Sequence, residues 1–176
     1  MDSFDTTPAS PAGFRQAMRQ LAGGVSVITA AHEGARTGMT VTSVISVALD
    51  PPELLVSLSE NSSSWSLIQS SRCFGVNVLA SHQEAVARSF SGHNGLQGEQ
   101  RYAGSQWHCT PDGVWLLNQA LASFACQVVN FNYHSGHILV IGRVTSLIAP
   151  PTEDAPLIYW QGGYRYLSDT VTREIC

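Results

Sequence analysis

The sequence predicts a mainly β domain with a few helices, in which antiparallel strands close into a barrel. Seven or more segments have the composition of strands, and the three short helical patterns do not alternate regularly with them. The chain has 176 residues, of which 44% are hydrophobic, enough to form one core without disulfides or metals. We therefore expect a single domain.

The first half of the chain begins with a predicted helix and continues with three predicted strands. Ser10 is a suitable cap and Pro11 suits the first helical position, and apolar residues then follow at helical spacing until Gly23-Gly24. Residues 25–31, 39–49 and 54–59 are rich in Val, Ile, Thr and Leu and predict strands. The segment Asp50-Pro51-Pro52 stops the second of these strands.

The second half predicts two further helices and the remaining strands. Hydroxyl-rich residues 60–64 precede a helix that carries Trp65, and Ser81 with Glu84 fits the capping box of a third helix. Strands are predicted at residues 73–79, 120–133 and 137–148, with a final pair at 157–160 and 164–167. Residues 91–103 are polar and contain three glycines, which predicts an exposed, mobile loop.

Charge and composition exclude several classes of function. Charged residues make up only 12% of the chain and the net charge is -4, which argues against nucleic-acid binding. All nine basic residues are arginines, so neither a Schiff-base lysine nor a P-loop lysine is present. The chain shows neither a signal peptide nor an apolar run long enough to cross a bilayer, and its four cysteines form no CxxC pair. We expect a cytoplasmic protein that does not bind membranes and keeps its thiols reduced.

Motifs of the common enzyme classes are missing from the sequence. There is no GxGxxG, GxSxG or HExxH, and the six histidines have no metal-ligand spacing, so we expect no metal site. Two segments are nevertheless rich in hydroxyls: residues 38–46, where an unbroken strand places Thr40, Thr42 and Ser46 on one face, and residues 57–64. Hydroxyls and N–H groups at a helix start bind phosphate, although Thr and Ser also simply suit strands and caps.

Seven short motifs occur in one order along residues 12–168. They are FRQAM at 14–18, GGVSVIT at 23–29, GMTVTS at 38–43, DPP at 50–52, FGVNVL at 74–79, GH at 136–137 and GRV at 142–144. This ordered set closely resembles the flavin reductase family of two-component flavin-dependent monooxygenases. The resemblance implies a split β-barrel of the FMN-binding type, antiparallel and Greek-key-like, that forms a homodimer.

The resemblance also implies an activity and a division of the chain. The activity is an NAD(P)H:flavin oxidoreductase that reduces FMN or FAD with NADH or NADPH. The reduced flavin would then reach a separate flavin-dependent monooxygenase by diffusion. The barrel would span residues 12–168, between a flexible N-terminal tail at 1–11 and a C-terminal tail at 169–176.

Carried over position by position, the resemblance implies a set of site residues. Contacts to the flavin ring edge and ribityl chain fall on Met39, Thr40, Val41, Thr42 and Ser43. The segment that meets the phosphate comprises Ser57, Leu58, Ser59, Ser62, Ser63, Ser64 and Trp65. Asn77, Val78, Leu79 and Ala80 match the strand that lies along the flavin ring. Tyr164 and Arg165 match the segment that closes over the site.

His137 is the residue to which the resemblance assigns catalysis, near the position where the nicotinamide stacks. Two positions depart from the family pattern: Thr42 stands where many relatives have Asn, and Ser135 stands where they have Asp. The second departure leaves His137 without an acidic neighbour to orient its imidazole. Hydride transfer depends mainly on the stacking of two cofactor rings, so an acid or base is optional.

Three alternative functions fit parts of the sequence. A non-catalytic flavin-binding or electron-transfer protein would use the same barrel. A flavin oxidase of the pyridoxamine-phosphate-oxidase type would need more basic residues for its anionic substrate. A barrel for an unrelated apolar ligand would use the four tryptophans to line a cavity.

Overall fold

The computed structural model describes residues 6–151 and 153–167, and these contain three α-helices and twelve β-strands. The helices are α1 (Pro11–Met18), α2 (Ser63–Ser71) and α3 (Glu84–Phe90). The strands are β1 (Gly23–Gly24), β2 (Ser26–His32), β3 (Ala35–Val41), β4 (Val44–Leu49), β5 (Pro52–Ser59), β6 (Cys73–Val78), β7 (Trp107–Cys109), β8 (Trp115–Leu117), β9 (Ala122–His134), β10 (His137–Ile148), β11 (Ile158–Trp160) and β12 (Gly163–Arg165). Short 3-10 turns lie at Ser81–Gln83 and Gly98–Tyr102.

One seven-stranded antiparallel sheet has the order β3-β2-β6-β9-β10-β5-β4. Its two edge strands, β3 and β4, follow each other along the chain and are joined only by Thr42 and Ser43. The sheet therefore curls until its two ends meet at this corner, yet β3 and β4 do not pair within the described part of the chain. The predicted mainly β, antiparallel fold is confirmed, and so is the split β-barrel that the resemblance implied. The closed barrel expected from the strand pattern alone is wrong, because β3 and β4 do not pair.

The interior of the curled sheet holds one large apolar cluster. It takes side chains from six of the seven strands, such as Ile28, Val56, Phe74 and Val140, and Val44 of β4 packs against it. Helix α2 adds Trp65 and Ile68 to the same cluster. Period-2 alternation on β5, where Leu54, Val56 and Leu58 are buried, is what selects this inner face.

A second apolar cluster lies outside the curled sheet and includes Val27 of β2. Helix α3 contributes Val86, Ala87 and Phe90, and the segment that follows it contributes Tyr102. Phe90, Tyr102 and Trp107 contact one another edge-on or tilted, with ring centroids 4.8–5.4 Å apart. The hairpin of β7 and β8, which the sequence analysis missed, lies beside this cluster.

The predicted second strand, residues 39–49, is wrong as a single element. The structure divides it into β3 and β4 at Thr42 and Ser43, which interrupt the pairing. Thr40, Thr42 and Ser46 therefore do not share one strand face. Neighbouring hydroxyl-bearing residues gave no signal of the corner, because Thr and Ser suit a strand as well as a turn.

The predicted mobile loop at residues 91–103 is instead fastened to the sheet. Arg101 donates hydrogen bonds to the carbonyl oxygens of Leu96 and Gly38, and the Tyr102 hydroxyl donates to Thr37 O at 2.7 Å. Tyr102 is buried, and burial raises the pKa of its phenol. The glycines that suggested mobility supply turns with positive φ at Gly92, Gly95 and Gly98.

The helix predictions hold in position and differ at their ends. Ser10 caps α1 by accepting a hydrogen bond from Gly13 N at 3.1 Å, but the helix ends at Met18, and Gly23–Gly24 forms strand β1 against β11. At the start of α3 the cap residue is Gln83, not Ser81 with Glu84, and it makes no side-chain bond to the helix. Its Oε1 instead accepts from Ala80 N at the start of the preceding 3-10 turn. No helix in the described ranges is long and apolar enough to span a bilayer.

Candidate flavin site

A groove of about 580 Å³ opens where β3 ends, between α3 and the β11–β12 hairpin. Four residues predicted to contact the flavin line it: Thr40, Val41, Thr42 and Tyr164. The remaining lining residues are Val25, Arg88, Ser91, His93, Asn94, Tyr159, Gly162 and Gly163. Tyr164 meets Tyr159 edge-on at 5.5 Å, and burial raises the pKa of Tyr164 although Arg88 opposes the shift. The lining thus combines aromatic faces with hydroxyls and one arginine.

The corner at Thr42 and Ser43 joins this groove to the outer face of β5. The Thr40 hydroxyl donates to Ala87 O at 2.7 Å, which ties β3 to α3, and the Ser43 hydroxyl donates to Ser57 O at 2.9 Å. Thr42, between these two anchors, is exposed. The corner is therefore fixed on both sides and presents a free hydroxyl at its apex.

The outer face beyond the corner carries Ser57, Ser59 and His137. On β5, Leu58 is buried in the barrel, so Ser57 and Ser59 on either side point outward. His137 pairs with Ser59 across the β5–β10 ladder, and opposite residues share a face. The His137 ring is exposed, and its Nδ1 lies 3.4 Å from Ser135 O within the same turn. The structure thus places His137 beside Ser59 rather than in the lining of the groove.

The predicted phosphate segment at the start of α2 is largely engaged in the fold. Ser62 caps the helix by accepting from Trp65 N at 3.2 Å, and the Ser63 hydroxyl lies 3.3 Å from that of Thr37. Ser64 is buried, and Trp65 packs edge-on against Phe131 with centroids 5.1 Å apart. Of this segment, Ser63 has an exposed side chain and Ser62 a partly exposed one.

The segment Asn77 to Ala80 lies inside the protein. Asn77 is fully buried: its side-chain oxygen accepts from Leu117 N and the Ser123 hydroxyl, and its amide donates to Val27 O. The backbone of Leu79 is bonded on both sides, to Val25 O and from Leu157 N. The buried polar groups of Asn77 thus already have partners within the protein. That Asn77, Leu79 and Ala80 contact the flavin stays a prediction. Val78 alone in this segment is partly exposed.

A second cleft, of about 600 Å³, lies at the far end of β3 and contains none of the predicted residues. It is lined by the β2–β3 turn, the end of α2 and the β7–β8 hairpin. Because the two clefts are nearly equal in volume, size does not select the site. The hydroxyl-bearing corner does, since it adjoins the first groove and is absent from the second.

Comparison with known proteins assigns the family. The model of the flavin reductase like domain matches residues 18–168, most of the chain. The chain belongs to the flavin reductase-like domain family. The resemblance inferred from the seven motifs is thereby confirmed, and the residues of the groove and corner lie within the matched domain.

This flavin reductase-like chain matches two related sequences and one solved structure over most of its length. An FMN reductase (NADH) RutF of Methylorubrum extorquens is 33% identical over 173 residues, covering 95% of this chain and 83% of that protein. The flavin-dependent monooxygenase reductase subunit HsaB of Rhodococcus jostii is 32% identical over 154 residues, covering 88% of this chain and 76% of that one. The structure of the flavin reductase PheA2 superposes with a TM-score of 0.81 at 34% identity, covering 91% and 99% of the two chains.

Several residues of the groove in this flavin reductase-like domain were missed by sequence reasoning. Arg88, Ser91, His93 and Asn94 come from α3 and the segment after it. The only sequence signal was the spacing of Glu84 and Arg88, four residues apart, which predicts an ion pair on a helix. Their nearness to Thr40 depends on how α3 packs on β3, which no local pattern encodes.

Proposed function

We propose that this chain is an NAD(P)H:flavin oxidoreductase that reduces FMN or FAD. The observation that carries the proposal is the Thr42–Ser43 corner, which joins an aromatic- and hydroxyl-lined groove to the face that bears His137. Family membership and the printed names of the relatives, an FMN reductase (NADH) and a monooxygenase reductase subunit, support the same activity.

The residues of the corner fit a flavin chemically. The ring of a flavin carries polar edges and its ribityl chain carries hydroxyls, so a fixed turn with a free hydroxyl at Thr42 is a suitable partner. Tyr159 and Tyr164 give the groove flat aromatic walls. A bound flavin supplies the chemistry itself, by accepting a hydride from a reduced nicotinamide stacked against it.

The protein's contribution is to bind and orient the two rings. Thr40 and Ser43 hold the corner rigid through bonds to Ala87 O and Ser57 O, which keeps the Thr42 hydroxyl in one place. His137 stands on the outer face beside Ser59, where its ring would lie against a bound nicotinamide. Ser57, Ser59, Ser62 and Ser63 complete the polar wall between His137 and the start of α2.

A steady-state assay tests the activity. Purified protein is mixed with NADH or NADPH and with riboflavin, FMN or FAD, and the loss of nicotinamide absorbance in the near ultraviolet is followed. Turnover with many equivalents of flavin supports a reductase. Protein that retains flavin through purification yet oxidises reduced nicotinamide only stoichiometrically is a flavin store or electron-transfer protein, and contradicts the proposal.

We further propose that the reduced flavin passes by diffusion to a separate flavin-dependent monooxygenase, as the name of the HsaB relative suggests. Ultrafiltration in oxygen-free buffer distinguishes release from retention, because without oxygen the reduced flavin is not reoxidised. If the protein releases it, the reduced flavin accumulates in the filtrate of a membrane that holds back the protein. Reduced flavin that stays with the protein fraction contradicts diffusion.

A homodimer is also proposed, from the apolar surface of β4 and β10. On β4, Ile45 and Leu49 are 58% and 89% exposed, with Val47 exposed between them. Leu147 and Ile148 are exposed on β10, which like β4 flanks β5. Exposed apolar residues that cluster on a sheet face mark contact surfaces in soluble proteins. A second copy of this chain would cover the free edge of β4 as well.

A further inference from the structure

Arg88 is the one permanently charged side chain among the described residues that line the groove. The lining includes no Asp or Glu, and its other ionisable groups are His93, Tyr159 and Tyr164. Since the chain contains no lysine, only arginine provides a fixed positive charge. The groove thus has one guanidinium at its wall, although the whole protein carries a net charge of -4.

Two contacts hold the Arg88 guanidinium at the wall of the groove. Its Nε donates to Glu84 Oε1 at 2.6 Å, its Nη2 pairs with the same carboxylate, and its Cζ lies 5.2 Å from the centre of the Tyr164 ring. Glu84 also accepts a hydrogen bond from the Tyr166 hydroxyl, and it does not line the groove. Of the five N–H bonds of the guanidinium, about three remain free for a ligand, and the side chain is 64% exposed.

Four other arginines already have partners within the protein. Arg36 pairs with Glu99 and stacks on Trp115 at the far cleft, and Arg143 pairs with Glu53 on the sheet. Arg101 donates to backbone carbonyls, and Arg165 turns back to Tyr164 O. At the start of α2, the Ser62 hydroxyl accepts a hydrogen bond from Trp65 N and carries no positive charge. Among the residues that line the groove, Arg88 is therefore the cationic partner for an anionic group. The guanidinium groups of Arg19 and Arg165 lie next to two of the lining glycines, Gly162 and Gly163.

We propose that Arg88 binds a phosphate group of a nucleotide that occupies the groove, an assignment that rests on the proposed function. A planar guanidinium donates two parallel hydrogen bonds to phosphate oxygens, and Glu84 with Tyr164 keeps it oriented for that purpose. Both partners of the reaction carry such a group: FMN and FAD on the flavin side, NADH and NADPH on the nicotinamide side. The chemistry is the same for either source, and the kinetics separate them.

The decisive comparison uses riboflavin, which has the flavin ring but no phosphate. Steady-state KM values are measured for riboflavin, FMN, FAD and NADH with wild type, Arg88→Gln and Arg88→Lys. The control is Arg143→Gln, which removes a similar exposed arginine–glutamate pair outside the groove. Thermal unfolding confirms that each variant is folded.

Loss of a charge-assisted hydrogen bond predicts a rise of about tenfold or more in one KM for Arg88→Gln, with a smaller rise for Arg88→Lys and none for Arg143→Gln. A rise for FMN and FAD with riboflavin unchanged identifies the flavin phosphate. A rise for NADH that is equal with all three flavins identifies the dinucleotide. KM values that all stay within about twofold of wild type overturn the proposal. An equal rise for riboflavin and FMN with NADH unchanged also overturns it, because Arg88 would then act on the flavin ring through Tyr164.

Failure of the proposed function gives a different result. If wild type oxidises neither NADH nor NADPH with any flavin, the reductase assignment falls. The Arg88 assignment is then still tested by fluorescence titration of wild type and Arg88→Gln with riboflavin, FMN and NADH. Binding of FMN or NADH that weakens about tenfold in the variant while riboflavin binding does not supports it; equal affinities for all three ligands overturn it.

Discussion

Asn77 illustrates how a single side chain can fit a family motif and yet serve the fold. The motif at residues 74–79 suggested a strand along the flavin, whereas the Asn77 amide links β2, β8 and β9 through three buried hydrogen bonds. Sequence alone did not distinguish these cases, because an amide in a strand suits either a ligand or a neighbouring backbone. Thr40, Thr42 and Tyr164, which the resemblance also implied, do line the groove.

Replacement of Asn77 tests its structural assignment. Asn77→Ala leaves Leu117 N and Val27 O without their partners in the interior, at a cost of about 1–3 kcal/mol for each unpaired group. Urea denaturation is expected to show this loss, while the KM for flavin in the folded fraction stays unchanged. Asn118→Ala, which alters an exposed amide, is the control. A variant of full stability with a raised flavin KM would place Asn77 in the site instead.

His137 is predicted to affect turnover more than flavin binding. Its ring stands beside Ser59 on the face where the nicotinamide is proposed to stack, outside the lining of the groove. His137→Ala should lower kcat about tenfold and change the Kd for FMN by less than about twofold. The control is His108→Ala, an exposed histidine on β7 that does not line the groove. Kinetics identical to wild type would remove His137 from the site.

At the scale of elements, the decisive feature is the break between β3 and β4. The residues around it were correctly predicted to be extended, and most strand positions agree with the structure to within a few residues. The break itself follows from tertiary closure of the sheet, since Ser43 turns to bond Ser57 O and Thr40 bonds α3. Hairpin β7–β8 was missed for a related reason: its strands are three residues each, too short to show a period.

The close packing of hairpin β7–β8 on β6 is testable at Gly75. A Cβ at Gly75 would collide with the Thr29 hydroxyl and lie 2.7 Å from Trp115 O, part of a backbone that cannot easily yield. Gly75→Ala should cost about 1–3 kcal/mol, a fall in Tm of roughly 2–4 °C per kcal/mol. Gly24→Ala, with open space around its added carbon, should leave Tm nearly unchanged. Equal Tm values for both variants would contradict this packing.

At the scale of the whole molecule, the sequence predicted one mainly β domain, and the motif order predicted its family. Local patterns define which faces of strands are apolar, which is why the barrel core was predictable. They do not define how the ends of a curled sheet meet, so the groove and the contribution of α3 emerged only from the structure. The exposed apolar surface of β4 and β10 likewise emerged only from the structure.

The proposed dimer is tested by placing a charge on that surface. Ile45→Glu would bury a carboxylate in the proposed interface. Gln69→Glu places the same charge at an exposed position of α2, outside that interface. Light scattering should give wild type and Gln69→Glu twice the chain mass of 18.9 kDa, and Ile45→Glu a mass near that of one chain. A wild-type protein of single-chain mass, or a dimeric Ile45→Glu, would rule out this interface.

The central claim is that the Thr42–Ser43 corner and the groove beside it hold the flavin. A crystal structure of the protein with FMN and with FAD tests it most directly. We expect density for the flavin ring against Thr42 and Ser43, with Tyr164 on one side of the groove. Flavin bound in the cleft beside Trp115, or a corner filled by packed side chains in both crystals, would contradict it.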